Sequence, residues 1–321
     1  MTLSSVVQAI TTYGPISRAS VAKMTGLSKQ TVSEVVLTLE KDGWVQTVGR
    51  TEGNVGRRAV VYEIVPEAAL VASVDLGGTK VRVALCDLTG KVTAEMVEPT
   101  TQSGGEAVVD QIGRLILETA TAHNIDQDKI RVAVVGVPGV PEAETGHVKM
   151  APNIAGIDTI NFPALLNERL GVEVLVENDV NLAALGEHWM THQGDKDDLV
   201  YLSIGTGIGA GVVIGGKLVR GASGAAGEVG FLPFGADPFE EESKTTGALE
   251  RVSATQAITS HYFELTGTAK NVPDVFEAAL AGDQDAKQVL ESVASYIARA
   301  VAAIASVIDP ACVIIGGSIG A

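Results

Sequence analysis

A chain of 321 residues exceeds the usual size of one compact domain, so two or three units are expected, each with its own core. Hydrophobic residues make up 46% and charged residues 19%, an ordinary globular composition that excludes a disordered chain. The net charge of −16 excludes a molecule coated in basic residues, yet residues 1–65 hold seven basic side chains (Arg18, Lys23, Lys29, Lys41, Arg50, Arg57, Arg58) against five acidic ones, so this segment is locally basic.

In chain order, Leu3, Val6, Val7 and Ile10 recur at the spacing of one buried helix face, ended by Tyr13-Gly14-Pro15. A second short helix over about residues 18–24 leads through Thr25-Gly26-Leu27 to a third, opened by Ser28 as N-cap. In that third helix Val32, Val35, Val36 and Leu39 face inward. Ser28, Lys29, Gln30, Thr31 and Ser33 are left near its exposed start, and these residue types contact bases and phosphates. After Gly43, residues 44–48 and 59–64 alternate like two strands. The Gly-rich loop between them carries Arg50, Arg57 and Arg58 and reads as a basic wing suited to phosphates or a narrow minor groove. The alternative is a small three-helix module that docks on protein; the basic wing argues for DNA.

Further along, the strand Leu70–Val74 runs into Asp75-Leu76-Gly77-Gly78-Thr79-Lys80, and Val81, Val83 and Leu85 alternate beyond it. Glycines here let backbone amides approach a phosphate, and a neighbouring Asp holds Mg2+ through water; the alternative is a plain tight turn. A second turn, Gly205-Thr206-Gly207, separates two strand-like runs, and Gly316-Gly317 follows the apolar run 312–315. None has the dinucleotide spacing GxGxxG. Asn178-Asp179 precedes an apolar helical run and, from spacing, reads as a helix cap. Cys86 and Cys312 sit in strand-like runs and read as small buried hydrophobes of a reducing compartment. The apolar stretch 293–308 is interrupted by Arg299 and falls short of the ~20 apolar residues of a membrane span. The first residues lack a basic leader and apolar core, so a cytoplasmic location is expected.

DLGGTK, GVPGV (136–140), APN (151–153), ENDVNLAALGE (177–187), GTGIGAG (205–211), GAAGEVG (224–230), GALE (247–250) and DPACVIIGG (309–317) stand in an order that resembles the ROK family (repressor, open reading frame, kinase). With the helix-turn-helix in front, the chain is similar to the family's transcriptional regulators. The resemblance implies an α/β protein: a winged helix-turn-helix over 1–65, then two lobes of an actin-like, sugar-kinase-like (ribonuclease H-like) fold over 66–184 and 185–321. By resemblance, Asn153, Asn178, Asp179, Glu228 and Glu250 contact sugar hydroxyls, and Asp179 is the catalytic base if the chain is a kinase. Asp75, Gly77, Gly78, Thr79, Lys80, Gly205, Thr206, Gly207, Gly316 and Gly317 would meet ATP and Mg2+ if nucleotide binding is retained.

Two departures stand out. The zinc-carrying members have a His after GExG and a Cys-rich stretch; here Phe231 follows Gly230 and residues 232–250 contain neither Cys nor His, so no zinc is expected. Glu240, Glu241 and Glu242 read as a solvated loop rather than a substitute metal site. The sequence also stops at Ala321, where family members continue into further helices, so either a fragment or a shortened second lobe is expected, and with either nucleotide binding is in question. The reading is a DNA-binding regulator, a repressor by resemblance, that answers to a sugar or sugar phosphate and pairs with operator DNA as a homodimer or dimer of dimers; the alternative is an ATP-dependent sugar kinase with a DNA-binding appendage.

Overall fold

The computed structural model describes residues 2–50, 59–142, 144–151, 153–191 and 198–320. It opens with α1 (Thr2–Tyr13), β1 (Ile16–Ser17), α2 (Arg18–Thr25), α3 (Lys29–Lys41), β2 (Val45–Arg50) and β3 (Val60–Ile64). The three strands form a small sheet in the order β1-β3-β2. Helix faces and sheet close on Val6, Ile10, Val21, Val32, Val36 and Tyr62, each at most 3% exposed. Leu3 does not join them: it is 54% exposed. Helices α2 and α3 both start on side-chain caps. Ser17 Oγ accepts from Ser20 N (3.2 Å) and Ser28 Oγ from Thr31 N (3.1 Å), satisfying amides that have no partner within the helix. Ser28→Ala is therefore expected to cost about 1 kcal/mol of local stability, read as faster amide exchange in the first turn of α3.

Contact density divides the chain into residues 1–177 and 178–321. The rest of the first unit holds β4 (Leu70–Leu76), β5 (Lys80–Asp87), β6 (Val92–Pro99), α4 (Gly105–Ala122), β7 (Ile130–Val137), the short pair β8 (Val140–Pro141) and β9 (Val148–Lys149), α5 (Phe162–Leu170) and β10 (Glu173–Asn178). Its main sheet runs β10-β7-β4-β5-β6, an antiparallel meander of β4, β5 and β6 extended by β7 lying parallel to β4. Alternation puts Val81, Val83 and Leu85 of β5 at 0% exposure, against Ile112, Leu115 and Ile116 of α4. The turn into β6 is fastened by Asp87, whose Oδ1 accepts from Thr89 N (2.8 Å), Thr89 Oγ1 (2.6 Å) and Lys91 N (3.1 Å). These donors outweigh burial and hold the Asp87 carboxyl below its ordinary pKa.

The second unit contains α6 (Asp179–Thr191), β11 (Leu199–Ile204), β12 (Ile208–Ile214), β13 (Lys217–Leu218), α7 (Glu241–Thr246), α8 (Glu250–Ser253), α9 (Thr255–Thr266), α10 (Val272–Leu280), α11 (Gln284–Ile308), β14 (Cys312–Gly316) and α12 (Gly317–Gly320). Its sheet runs β13-β12-β11-β14, with β14 parallel to β11. Helix α11 is long and apolar enough by length and composition to cross a membrane. This exceeds what the interrupted run 293–308 suggests, because the helix begins nine residues earlier, capped by Asp283. One stripe of it, Ala286, Val289, Val293, Ile297, Ala300 and Ile304, is buried against α8, α9 and α10. That is the spacing of an amphipathic core helix. Cys86 and Cys312 lie in β5 and β14, yet each is only partly buried.

Candidate functional site

The second unit gathers three carboxylates and one amide. Asn178 ends β10 and caps α6: its Oδ1 accepts from Asn181 N at 3.1 Å. Asp179 opens the helix with Oδ1 accepting from Val180 N at 2.8 Å. Both side chains are half-buried.

Glu228 reaches the site because of the residue before it. Gly227 has φ +96°, and a Cβ there would lie 1.8 Å from the Ala210 carbonyl oxygen. Its own carbonyl accepts from Ala210 N at 2.8 Å, so the segment grips β12 backbone to backbone. Glu250 is placed by a second such junction. A Cβ on Gly247 (φ +95°) would lie 2.4 Å from Gly230 O, and Leu249 N donates to that oxygen at 3.0 Å. Glu250 Oε2 then accepts from Ile208 N at 2.8 Å, just past the Gly205–Gly207 turn.

These carboxylates feel one another. Burial and then the charge of Asp179 push the Glu228 carboxyl up. Burial also pushes up Glu250, with Glu228 adding to the shift and the Ile208 amide opposing it. Half-buried carboxylate and amide acceptors grouped in this way are suited to hydroxyl donors, which is the chemistry of a polyol.

Two of the Gly turns also meet within this unit. Gly205 N donates to Gly207 O (3.0 Å), Thr255 N to Gly205 O (2.9 Å), and a Cβ on Gly205 would lie 3.0 Å from Ser318 Oγ, which follows Gly316-Gly317. Thr206 is exposed at the tip. In the first unit, Asp75 is exposed near the end of β4, Gly77 N closes the tight turn onto Lys80 O (2.9 Å), and Thr79 and Lys80 are exposed. Asn153 is exposed and packs on that turn, with its Cβ 2.7 Å from where a Cβ on Gly78 would be.

The acidic run after Phe231 is more than a solvated loop. Glu241 points to solvent at 90% exposure, but Glu240 and Glu242 pair with Arg251 (2.6 and 2.8 Å), whose guanidinium also donates to Ser243 Oγ at 2.7 Å. Sequence reasoning missed Arg251 because its partners lie on another helix, outside any fixed spacing. Among the described residues no group of His, Cys, Asp and Glu side chains could hold a metal ion.

In the N-terminal segment, Ser28, Lys29 and Gln30 are exposed at the start of α3, while Thr31 and Ser33 are half-buried. Gln30 Nε2 donates to Glu34 Oε1 at 3.0 Å. Arg50 is exposed at the end of β2; Arg57 and Arg58 lie outside the described residues. Arg18, basic and near α3, is occupied: it stacks on the Tyr62 ring at 5.1 Å and donates to its hydroxyl.

Known proteins share this organisation. The ROK family pattern matches residues 71–321. The xylose repressor of Caldicellulosiruptor bescii is 30% identical over 318 residues, 94% of this chain and 79% of that protein. The glucokinase of Thermotoga maritima is 32% identical over 269 residues, 79% of this chain and 83% of its own. A crystal structure of a ROK family transcriptional regulator, a homologue of the Escherichia coli MLC protein, superposes with a TM-score of 0.85 at 25% identity, covering 99% of this chain and 83% of that one. The glucokinase match leaves about a fifth of the chain uncovered, whereas the two regulator matches take in nearly all of it. The α/β architecture is that of ROK sugar kinases and regulators, and the chain belongs to the ROK family as one of its transcriptional regulators.

Proposed function

We propose that residues 1–65 form a winged helix-turn-helix that reads operator DNA, and that a neutral sugar or sugar phosphate, bound among Asn178, Asp179, Glu228 and Glu250, sets its affinity. The observation that carries this reading is the grouping of Asp179, Glu228 and Glu250: half-buried carboxylate acceptors close enough for the charge of Asp179 to raise Glu228 and that of Glu228 to raise Glu250, a set suited to hydroxyl donors. The names of the xylose repressor and of the regulator structure support the same reading. Binding changes DNA affinity only through a difference in free energy between DNA-competent and DNA-incompetent arrangements. A homodimer in the cytoplasm suits the task, since one small helix-turn-helix reads too few base pairs alone.

The test is binding to the chain's own upstream DNA across a salt series, with and without sugar. Lys29→Ala and Arg50→Ala are each expected to weaken binding to all sequences and to reduce the salt slope by about 1, as for a lost phosphate contact. Gln30→Ala instead is expected to relax preference at one base pair, costing about 1–3 kcal/mol there. Absence of binding to any upstream fragment by the wild-type chain would sink the reading.

The second reading is an ATP-dependent carbohydrate kinase, favoured by the retained turns 75–80, 205–207 and 316–317 and by the presence of Asp179. Bound ATP with Mg2+ would supply the phosphoryl group. Asp75 would face hydrated Mg2+, the glycine amides phosphate oxygens, and Asp179 would take the proton from the attacking hydroxyl. A coupled phosphorylation assay over hexoses and acetylated amino sugars decides it: turnover that disappears in Asp179→Asn favours the kinase.

A further inference from the structure

The separation of Glu228 and Glu250 depends on how residues 228–231 are held against residues 247–250. Part of the restraint is the Leu249 N to Gly230 O hydrogen bond. The remainder of the chain between them, residues 232–246, leaves from Phe231 and returns at Gly247, and Arg251 binds its acidic stretch. Arg251, 20% exposed at the side chain, donates to Glu240 Oε2 (2.6 Å) and Ser243 Oγ (2.7 Å) and pairs with Glu242 Oε2 (2.8 Å). Ser243 is itself 2% exposed, so the clamp ends on a fixed point. Arg251 N also donates to Gly247 O at 3.1 Å, tying the same residue to the glycine that sits on Gly230. Adjacent helical residues do not face each other, so Arg251 holds Glu250 through the backbone of α8 and not by pairing with it.

We propose that Arg251 is a positioning residue for the effector site: its three-way clamp on Glu240, Glu242 and Ser243 sets the separation of Glu228 and Glu250 and thereby the affinity for sugar. The proposal rests on the reading of these carboxylates as the sugar site. It has an unusual consequence. A neutral sugar carries no charge for salt to screen, so salt dependence of its affinity reports the ion pairs of the protein, and here the partners Glu240 and Glu242 are exposed enough to be screened.

The experiment is calorimetric titration of the full chain with D-glucose, D-xylose and N-acetylglucosamine in low and high NaCl. It compares wild type, Arg251→Gln, Glu240→Gln/Glu242→Gln and the combined triple variant. For whichever sugar binds, the expected result is affinity lowered about tenfold in Arg251→Gln and in the double variant, with no further loss in the triple, as for members of one network. High salt is expected to weaken wild type toward the variants and to leave the variants unchanged, a pattern that a purely structural role would not produce. Operator binding without sugar stays as in wild type. The double variant changes only exposed side chains and keeps the test decisive if Arg251→Gln folds poorly. Wild-type affinity in the double variant, or equal salt dependence in all four proteins, overturns the proposal while leaving the sugar reading intact. Absence of binding of all three sugars to wild type removes both.

Discussion

Glu250→Gln is expected to weaken sugar binding roughly 10- to 100-fold, the worth of one hydrogen bond to a charged group, and to raise the melting temperature of the sugar-free protein at neutral pH by roughly 2–4 °C. The two effects have one origin. Both carboxyls are raised above their ordinary value of 4.5, Glu228 by burial and the charge of Asp179, Glu250 by burial and the charge of Glu228 against the opposing Ile208 amide. A carboxyl raised in the folded state contributes stability that is complete below its unfolded pKa and is lost as pH rises through the folded pKa. Once Glu250 is ionised in the folded protein that contribution is gone, and a neutral amide restores it while still accepting from Ile208 N. The stability difference between Glu250→Gln and wild type is therefore expected to shrink as pH falls from 7 toward 4.5. Taking the difference matters because Asp87, Glu98 and Asp283 are lowered and destabilise both proteins as they protonate. Calorimetry across that range checks the stability claim and sugar titration the affinity; unchanged affinity would remove Glu250 from the site.

Gly227→Ala is expected to unfold the second unit or cost it several kcal/mol. Its Cβ would lie 1.8 Å from the Ala210 carbonyl oxygen and 2.9 Å from the carbonyl carbon, backbone atoms of a central strand with no rotamer to adjust. A positive φ of 96° adds the usual penalty for an L side chain. Limited proteolysis should show cleavage within residues 198–320. Gly186→Ala serves as contrast: nothing lies within 4 Å of its Cβ position on α6, so it is expected to stabilise by about 0.5–1 kcal/mol. Equal behaviour of the two variants would contradict the close approach at β12.

Features fixed by local chemistry were legible in the sequence. Ser28 caps α3, Val32, Val36 and Leu39 face inward, and Val81, Val83 and Leu85 alternate into a core, as caps and periodicity require. What depends on distant partners was not. The two-residue strand Ile16–Ser17 exists because Tyr62 and Val61 pair with it. Arg18 reads as a free cation until Tyr62 is placed beneath it. At the site, resemblance named Glu228 and Glu250, but their raised carboxyls and the Ile208 amide follow from backbone crossings at Gly227 and Gly247, which no spacing announces. Arg251 escaped for the same reason.

The placement of β14 has a consequence for how the protein is made. Its residues Cys312–Gly316 pair in parallel with Leu199–Ser203, so the central strand β11 has only β12 beside it until the far end of the second unit has been synthesised. All five strands of the first unit's main sheet precede residue 179, and that sheet is complete while the ribosome is still translating. For the whole interval the apolar strand Leu199–Ile204 presents an open edge, the kind of surface that chaperones cover and neighbouring nascent chains add to. Slow translation through 205–311 would lengthen that exposure, and polypeptides released before Cys312 would carry it permanently.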